Sequence, residues 1–133
     1  MPSGKRHYRL TLADALGAHE VVLRDFGGLP GILNIGMIES AIQRPYVGYY
    51  RSIYKKAAAL VQSVACNHGF ADGNKRTCLL LLGLMLDRSG YKLTGDGSTE
   101  ANKAAEEMIV AVAEHRMTFE QVEGWMRERI EKK

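Results

Sequence analysis

The stretch HGFADGNKRTCLLLLGLMLDRSG, residues 68–90, joins a polar loop to the most apolar segment of the chain. Two glycines interrupt its first part, which predicts a loop at 69–73. The remainder predicts a helix over 74–90 that is apolar on nearly every side between Cys78 and Leu86. Because a helix with so little polar surface has to be enclosed by other elements, we predict that it is the central, buried helix of the fold.

Helical periodicity continues on both sides of this stretch, whereas strand alternation is weak, with residues 6–10 as its one candidate. Capping patterns at Thr11 and Thr118 predict helix starts, and Gly27 and Pro45 predict helix ends. The predicted helices are 12–26, 35–43, 52–67, 74–90, 99–114 and a last one that starts at 118 and includes Ile130. The fold class is therefore all-α, a compact bundle of about five to seven helices.

Bulk composition predicts one ordinary domain. Hydrophobic residues make up 46% of the 133, enough for a core without disulfide or metal staples. We expect a single domain over 1–133, with residues 1–5 and 131–133 mobile. A net charge of +3 is too small to predict direct nucleic-acid binding. The first residues lack the apolar run of a signal peptide, and no apolar run is long enough to span a bilayer, so a cytoplasmic protein is expected.

Several residues outside the polar loop are of types that often occur in functional sites, but we interpret them as structural residues. His19 lies on the apolar face of the first helix and is interpreted as a hydrogen-bonded, buried histidine. Cys66 and Cys78 are too few for a disulfide framework and are interpreted as buried thiols. The segment YVGYYR, residues 46–51, is expected to be an exposed loop or a short flap.

Positively charged side chains lie at the N-terminus of the predicted 74–90 helix, the end at which the helix dipole disfavours cations. Lys75 and Arg76 in the first turn cost roughly 0.3–1 kcal/mol each, and a bound anion would reverse that sign. Backbone N–H groups of residues 73–76 would add donors for the anion, and Gly73 allows close approach and a positive φ. This arrangement predicts a phosphate-binding site.

Two further side chains of the loop fit the same chemistry. His68 could take a proton from an attacking hydroxyl, and Asp72 could hold Mg²⁺ together with phosphate oxygens. A base, a metal ligand and a phosphate cradle together indicate transfer of a phosphorus-containing group. The structural alternative is that His68 caps the preceding helix, Asp72 is an N-cap, and the two cations pair with surface carboxylates. The residues alone leave both readings open, and the chain has no P-loop, no G-x-G-x-x-G and no kinase-type H-R-D motif.

HGFADGNKR at 68–76 resembles the motif H-x-F-x-[DN]-[AG]-N-K-R of the death-on-curing (Doc) branch of the Fic/Doc superfamily. The resemblance continues in FGGLPGILNIGMIESAIQRP at 26–45, in the L-x-x-H spacing of Leu16 and His19, and in FEQVEGWMRE at 119–128. It covers roughly residues 7–130. A motif of this length with a matching upstream segment is far more specific than an isolated glycine pattern.

The resemblance implies a role for each residue of the motif. His68 would be the catalytic base, Phe70 a core anchor of the loop, and Asp72 the Mg²⁺ ligand. The remaining residues would shape and contact the nucleotide phosphates: Gly73, Asn74, Lys75 and Arg76. Doc proteins are toxins of toxin–antitoxin pairs that use ATP to phosphorylate a threonine of elongation factor Tu, which stops translation. The expected partners are therefore this substrate and a Phd-like antitoxin whose segment folds on binding.

The chain also departs from patterns within the superfamily. Adenylylating Fic enzymes carry Gly where this chain has Lys75, and a second Arg where it has Leu79, which favours phosphoryl over adenylyl transfer here. Many Doc-like chains carry Arg-Asp at the positions of Leu33 and Asn34. The inhibitory motif [ST]-x-x-x-E-[GN] of Fic proteins is absent, so any restraint is expected to come from another polypeptide. AMP transfer and a non-catalytic binding module remain the alternative functions.

Overall fold

The computed structural model describes residues 7–95 and 97–133. In this part of the chain the six α-helices are α1 Leu12–Phe26, α2 Ile35–Gln43, α3 Ile53–Cys66, α4 Asn74–Arg88, α5 Thr99–Ala113 and α6 Phe119–Arg129. A short 3₁₀ turn, Arg44–Tyr46, follows α2, and two short strands are β1 Tyr91–Leu93 and β2 Ile130–Lys132. The predicted all-α bundle is confirmed.

Local capping explains why the helix bounds lie close to those predicted. Thr11 and Asp14 form a reciprocal capping box at the start of α1, and Thr118 and Gln121 form another at the start of α6. Gly27, with φ 77°, ends α1 by donating its N–H to a carbonyl in the last turn. These signals use neighbouring residues only, so they can be read from the sequence.

Helix α3 lies at the centre of the bundle, packed against α4, α5 and α6, while α4 also packs against α1 and α5. The prediction that α4 is the central helix is correct only in part, because Leu80 on its outer side is 40% exposed. The largest fully buried apolar side chains of the two helices are Leu60, Val61, Leu81, Leu82, Met85 and Leu86. No helix among the described residues is long and apolar enough to cross a bilayer, and this includes α4, which contains the most apolar segment of the chain.

The two strands form an antiparallel pair in which Tyr91 faces Lys132 and Leu93 faces Ile130. Contrary to the predictions from the sequence, Ile130 does not belong to the last helix and residues 131–132 are not free, because residues 130–132 pair with β1. Residues 7–10, the described part of the strand candidate at 6–10, are not in a strand. Residues 1–5, also expected to be mobile, lie outside the described residues.

The segment between α1 and α2, residues 27–34, runs antiparallel to part of the polar loop. The Ala71 N–H donates to the Gly31 carbonyl at 3.0 Å, and the Leu33 N–H donates to the Gly69 carbonyl at 2.9 Å. We call residues 27–34 the covering loop and residues 68–73 the polar loop. Residues 46–51, for which the sequence left open an exposed loop or a short flap, begin at the last residue of the 3₁₀ turn and are mostly exposed. The covering loop borders the polar loop through these backbone bonds.

Candidate active site

One cleft of about 430 Å³ opens between the polar loop, the first turn of α4 and one face of α5. Its lining includes six of the seven predicted site residues: His68, Asp72, Gly73, Asn74, Lys75 and Arg76. The remaining lining residues are Ala65, Ala71, Glu106, Ile109 and Val110. The volume lies in the range of roughly 300–1,000 Å³ that is usual for small-molecule sites.

The seventh residue, Phe70, lies beneath the loop and not in the cleft. Its side chain is 3% exposed, and it stacks on His19 with ring centroids 3.8 Å apart and an interplanar angle of 10°. A buried aromatic ring in the middle of a polar loop fixes the loop to the core, because leaving its pocket would expose the whole ring to water.

Asn74 holds the backbone on both sides of that ring. Its Nδ2 donates to the Phe70 carbonyl at 3.0 Å, and its Oδ1 accepts the Phe70 N–H at 3.2 Å. Both ends of the amide are therefore used within the protein. The Asn74 side chain therefore shapes the polar loop.

Asp72 is exposed, and the backbone fixes both of its carboxylate oxygens. One oxygen accepts the N–H of Leu29 at 3.1 Å, and the other accepts that of Gly73 at 2.8 Å. These two bonds, helped by the charges of His19 and Arg76, lower the pKa of the Asp72 carboxyl below its usual value. The N-cap alternative is wrong, because the N-cap of α4 is Gly73, with φ 79° and no side-chain capping bond.

His19 supports the same loop from below. It is 6% exposed, and its Nε2–H donates to the Asp72 carbonyl at 2.8 Å. The interpretation of His19 as a hydrogen-bonded, buried histidine is confirmed. No local pattern predicts its hydrogen bond to the polar loop, because the two positions are 53 residues apart in sequence.

His68 has the one strained backbone conformation in the described part of the site. Its φ is 35°, in the left-handed region that non-glycine residues avoid, and its side chain is exposed. Asn67, not His68, is the C-cap of α3. Within the described residues its imidazole forms no hydrogen bond, so both ring nitrogens remain open to a ligand in the cleft.

Lys75 and Arg76 are exposed on the first turn of α4. Neither forms an ion pair with any described carboxylate, so the surface-pairing alternative finds no partner in that part of the chain. Arg76 instead lies over the ring of Phe26, with its guanidinium carbon 4.2 Å from the ring centroid. Two cations at a helix N-terminus that form no ion pair with a described carboxylate are electrostatically suited to an anionic ligand.

Glu106 enters the cleft from α5 and was missed by sequence reasoning. It shares the cleft-facing side of α5 with Ile109 and Val110, as expected for positions i, i+3 and i+4 of a helix. The amphipathic pattern indicates that one side of α5 packs on the bundle, but it does not indicate where that side meets the polar loop.

Metal binding in this cleft would depend on Asp72. No described group of three or more His, Cys, Asp or Glu side chains could enclose a metal ion. Mg²⁺ commonly binds through one or two carboxylates together with substrate phosphates, so the anionic Asp72 carboxylate beside Lys75 and Arg76 fits it. Each Asp72 oxygen accepts one backbone N–H and retains a lone pair for a cation.

Known proteins match the part of the chain that contains the polar loop. The model of the Fic/DOC family matches residues 9–86, from just before α1 to near the end of α4 and including the whole polar loop. This chain belongs to the Fic/DOC family. A relative named Toxin Doc, from Mycolicibacterium smegmatis, is 36% identical over 93 residues, which cover 66% of this chain and 69% of that protein. In this Fic/DOC chain, α5 supplies a cleft wall from outside the matched residues.

Proposed function

We propose that this Fic/DOC protein is the toxin of a toxin–antitoxin pair and an ATP- and Mg²⁺-dependent phosphotransferase that modifies a threonine of elongation factor Tu. The main support is that one cleft brings together an exposed His68, an anionic Asp72, and the cations Lys75 and Arg76, which form no ion pair with a described carboxylate. The relative named Toxin Doc supports the toxin part of the proposal. A cytoplasmic location would follow from the substrate.

In the proposed reaction His68 accepts the proton of the threonine hydroxyl. The hydroxyl oxygen forms a bond to the γ-phosphorus, the bond from that phosphorus to the β–γ bridging oxygen breaks, and ADP leaves. Lys75, Arg76 and the free N–H groups of the first turn of α4 hold the phosphates. Asp72 would hold Mg²⁺, which when bound neutralises phosphate charge.

Lys75 is the residue that favours the γ-phosphate over the α-phosphate. In AMP transfer the β- and γ-phosphates would occupy the cradle as the leaving group, and the Lys75 stem takes up space there. Its point charge is better placed to offset charge that develops on a transferring γ-phosphoryl group. The absence of a described carboxylate partner leaves that charge available.

Labelled ATP tests the transfer directly. The protein is incubated with elongation factor Tu, Mg²⁺ and ATP labelled at either the γ- or the α-phosphorus. Label should reach the acceptor only from the γ-position, and the His68→Ala variant should transfer none. Label from the α-position would mean AMP transfer, and no label from either position would favour a non-catalytic binding module.

A second prediction concerns the covering loop and Asp72. Gly28 has φ +118°, and a Cβ atom there would lie 2.8 Å from Asp72 Oδ2. Gly28→Ala should therefore displace the carboxylate, destabilise the fold by roughly 1–3 kcal/mol, and raise the Mg²⁺ concentration needed for ATP binding. A magnesium titration followed by calorimetry measures the second effect.

The matched control is Gly17→Ala in α1, where an added Cβ meets nothing within 4 Å. This variant should gain about 0.5–1 kcal/mol of stability and keep the wild-type magnesium titration. An unchanged titration in Gly28→Ala would mean that the contact between the covering loop and Asp72 does not position the metal ligand.

An inhibitory antitoxin segment would bind close to the cleft. The covering loop and its flanks present large apolar side chains to solvent, including Leu29 and Leu33, which are 68% and 69% exposed. Such a surface fits the apolar face of a Phd-like segment that folds into a helix on binding. Restraint from a separate chain agrees with the lack of the internal Fic inhibitory motif.

A further inference from the structure

We infer that Glu106 is a nucleotide-specificity residue that accepts hydrogen bonds from the ribose hydroxyls. This inference rests on the proposed function and extends it to the nucleoside half of the ligand. The two walls of the cleft differ in chemistry. The polar loop and α4 provide cations and backbone donors, whereas α5 provides Ile109, Val110 and the single carboxylate of Glu106.

The Glu106 carboxylate is unused within the described protein. It forms no ion pair with any described cation, although Lys75 and Arg76 line the same cleft. It also accepts no hydrogen bond from a described side chain or backbone group. Its oxygens are therefore free to accept bonds from a ligand in the cleft.

Charge limits which part of a nucleotide Glu106 can face. Phosphate oxygens would repel the carboxylate, so the phosphates belong at the opposite wall, beside Lys75 and Arg76. The ribose offers two adjacent hydroxyl donors, and a carboxylate has two oxygens to accept them, a pairing also used at dinucleotide sites. Val110, half-buried one turn further along α5, then offers apolar surface to the base.

This placement orients the whole ligand. The nucleoside lies along α5, and the phosphate chain extends toward the N-terminus of α4, so that its far end reaches His68. Recognition through the sugar also predicts that the site discriminates little between bases. The affinities for ATP and for GTP should therefore both depend on Glu106, and to the same extent.

The experiment measures binding, not catalysis. Calorimetry with Mg²⁺ compares ATP with 2′,3′-dideoxy-ATP on wild-type protein and on Glu106→Gln. Wild type should bind the dideoxy nucleotide roughly tenfold more weakly than ATP, as expected for losing hydrogen bonds to a charged group. Glu106→Gln should bind ATP roughly tenfold more weakly than wild type does, and should prefer ATP over the dideoxy nucleotide by a smaller factor than wild type does, because its amide has one acceptor oxygen where the carboxylate has two. The factor by which Glu106→Gln loses affinity for GTP should match the factor by which it loses affinity for ATP.

The matched control is Glu107→Gln, because Glu107 is the adjacent exposed glutamate on α5 and does not line the cleft. It should keep wild-type affinity for both nucleotides. If wild type binds ATP and 2′,3′-dideoxy-ATP equally, the ribose role is overturned and the proposed function stands. Tighter ATP binding by Glu106→Gln than by wild type would also overturn the ribose role, since the Glu106 carboxylate would then repel the nucleotide. If wild-type protein binds no nucleotide, the proposed function fails and this inference fails with it.

Discussion

The His68→Ala variant is expected to lower kcat for phosphoryl transfer by roughly 10²–10⁴-fold, the usual contribution of a positioned general base. Its affinity for ATP should remain close to that of wild type. The reason is geometric: His68 is exposed at the cleft and has no hydrogen-bond partner among the described residues, so neither the fold nor the phosphate cradle depends on its imidazole. Single-turnover kinetics with calorimetry would separate the two quantities.

His115→Ala is a matched control for the backbone effect. His115 is also an exposed histidine with positive φ, at 60°, but it lies at the end of α5 and outside the cleft. Both variants should change stability by similar small amounts, whereas only His68→Ala should lose activity. A large loss of ATP affinity with catalysis retained would remove His68 from the role of base.

The same pair of variants addresses toxicity. Expression of the wild-type protein alone should stop growth of a bacterial host, and His68→Ala should relieve the arrest at equal soluble expression. His115→Ala should remain as toxic as wild type. Unimpaired growth with soluble wild-type protein would count against the toxin proposal even if the enzyme transfers phosphate in solution.

The sequence predicts the parts of this protein that depend on neighbouring residues. Helix starts at Thr11 and Thr118 depend on a side chain and a backbone N–H three positions later, which any reading of the chain can find. The predicted site residues, from His68 to Arg76, lie within nine consecutive positions, and the chain holds them together whatever the fold. This is why all six predicted cleft residues are found in one cleft.

Contacts between distant segments could not be predicted in the same way. The pairing of β1 with β2 joins two three-residue strands across α5 and α6, and strands so short carry almost no alternation signal. His19 and Glu106 reach the polar loop and the cleft only because α1 and α5 pack beside α4. The pairing of the covering loop with the polar loop likewise depends on backbone hydrogen bonds between distant segments, from the N–H of Ala71 to Gly31 and from the N–H of Leu33 to Gly69.

Phe70→Ala is expected to have the largest effect on stability, lowering the free energy of unfolding by about 3–5 kcal/mol. The ring is buried and stacked on His19, and its backbone is clamped by the Asn74 amide, so the vacated space cannot easily be filled by movement of the loop. Domains are commonly stable by only about 5–15 kcal/mol, so this loss would leave many such proteins marginally folded. Urea unfolding followed by circular dichroism measures it.

Two further variants separate the anchoring of the polar loop from general stability. Tyr49→Ala removes an aromatic ring that is 80% exposed and should change stability by no more than about 0.5 kcal/mol. Phe70→Leu keeps an apolar side chain in the pocket, so it should fold and lose less stability than Phe70→Ala. It should nevertheless reduce kcat, because a smaller, non-aromatic side chain cannot reproduce the stacking on His19, which in turn holds the Asp72 carbonyl. If Phe70→Leu loses stability but keeps the wild-type kcat, the ring serves the core alone, and the position of the loop is set by Asn74 and the covering loop.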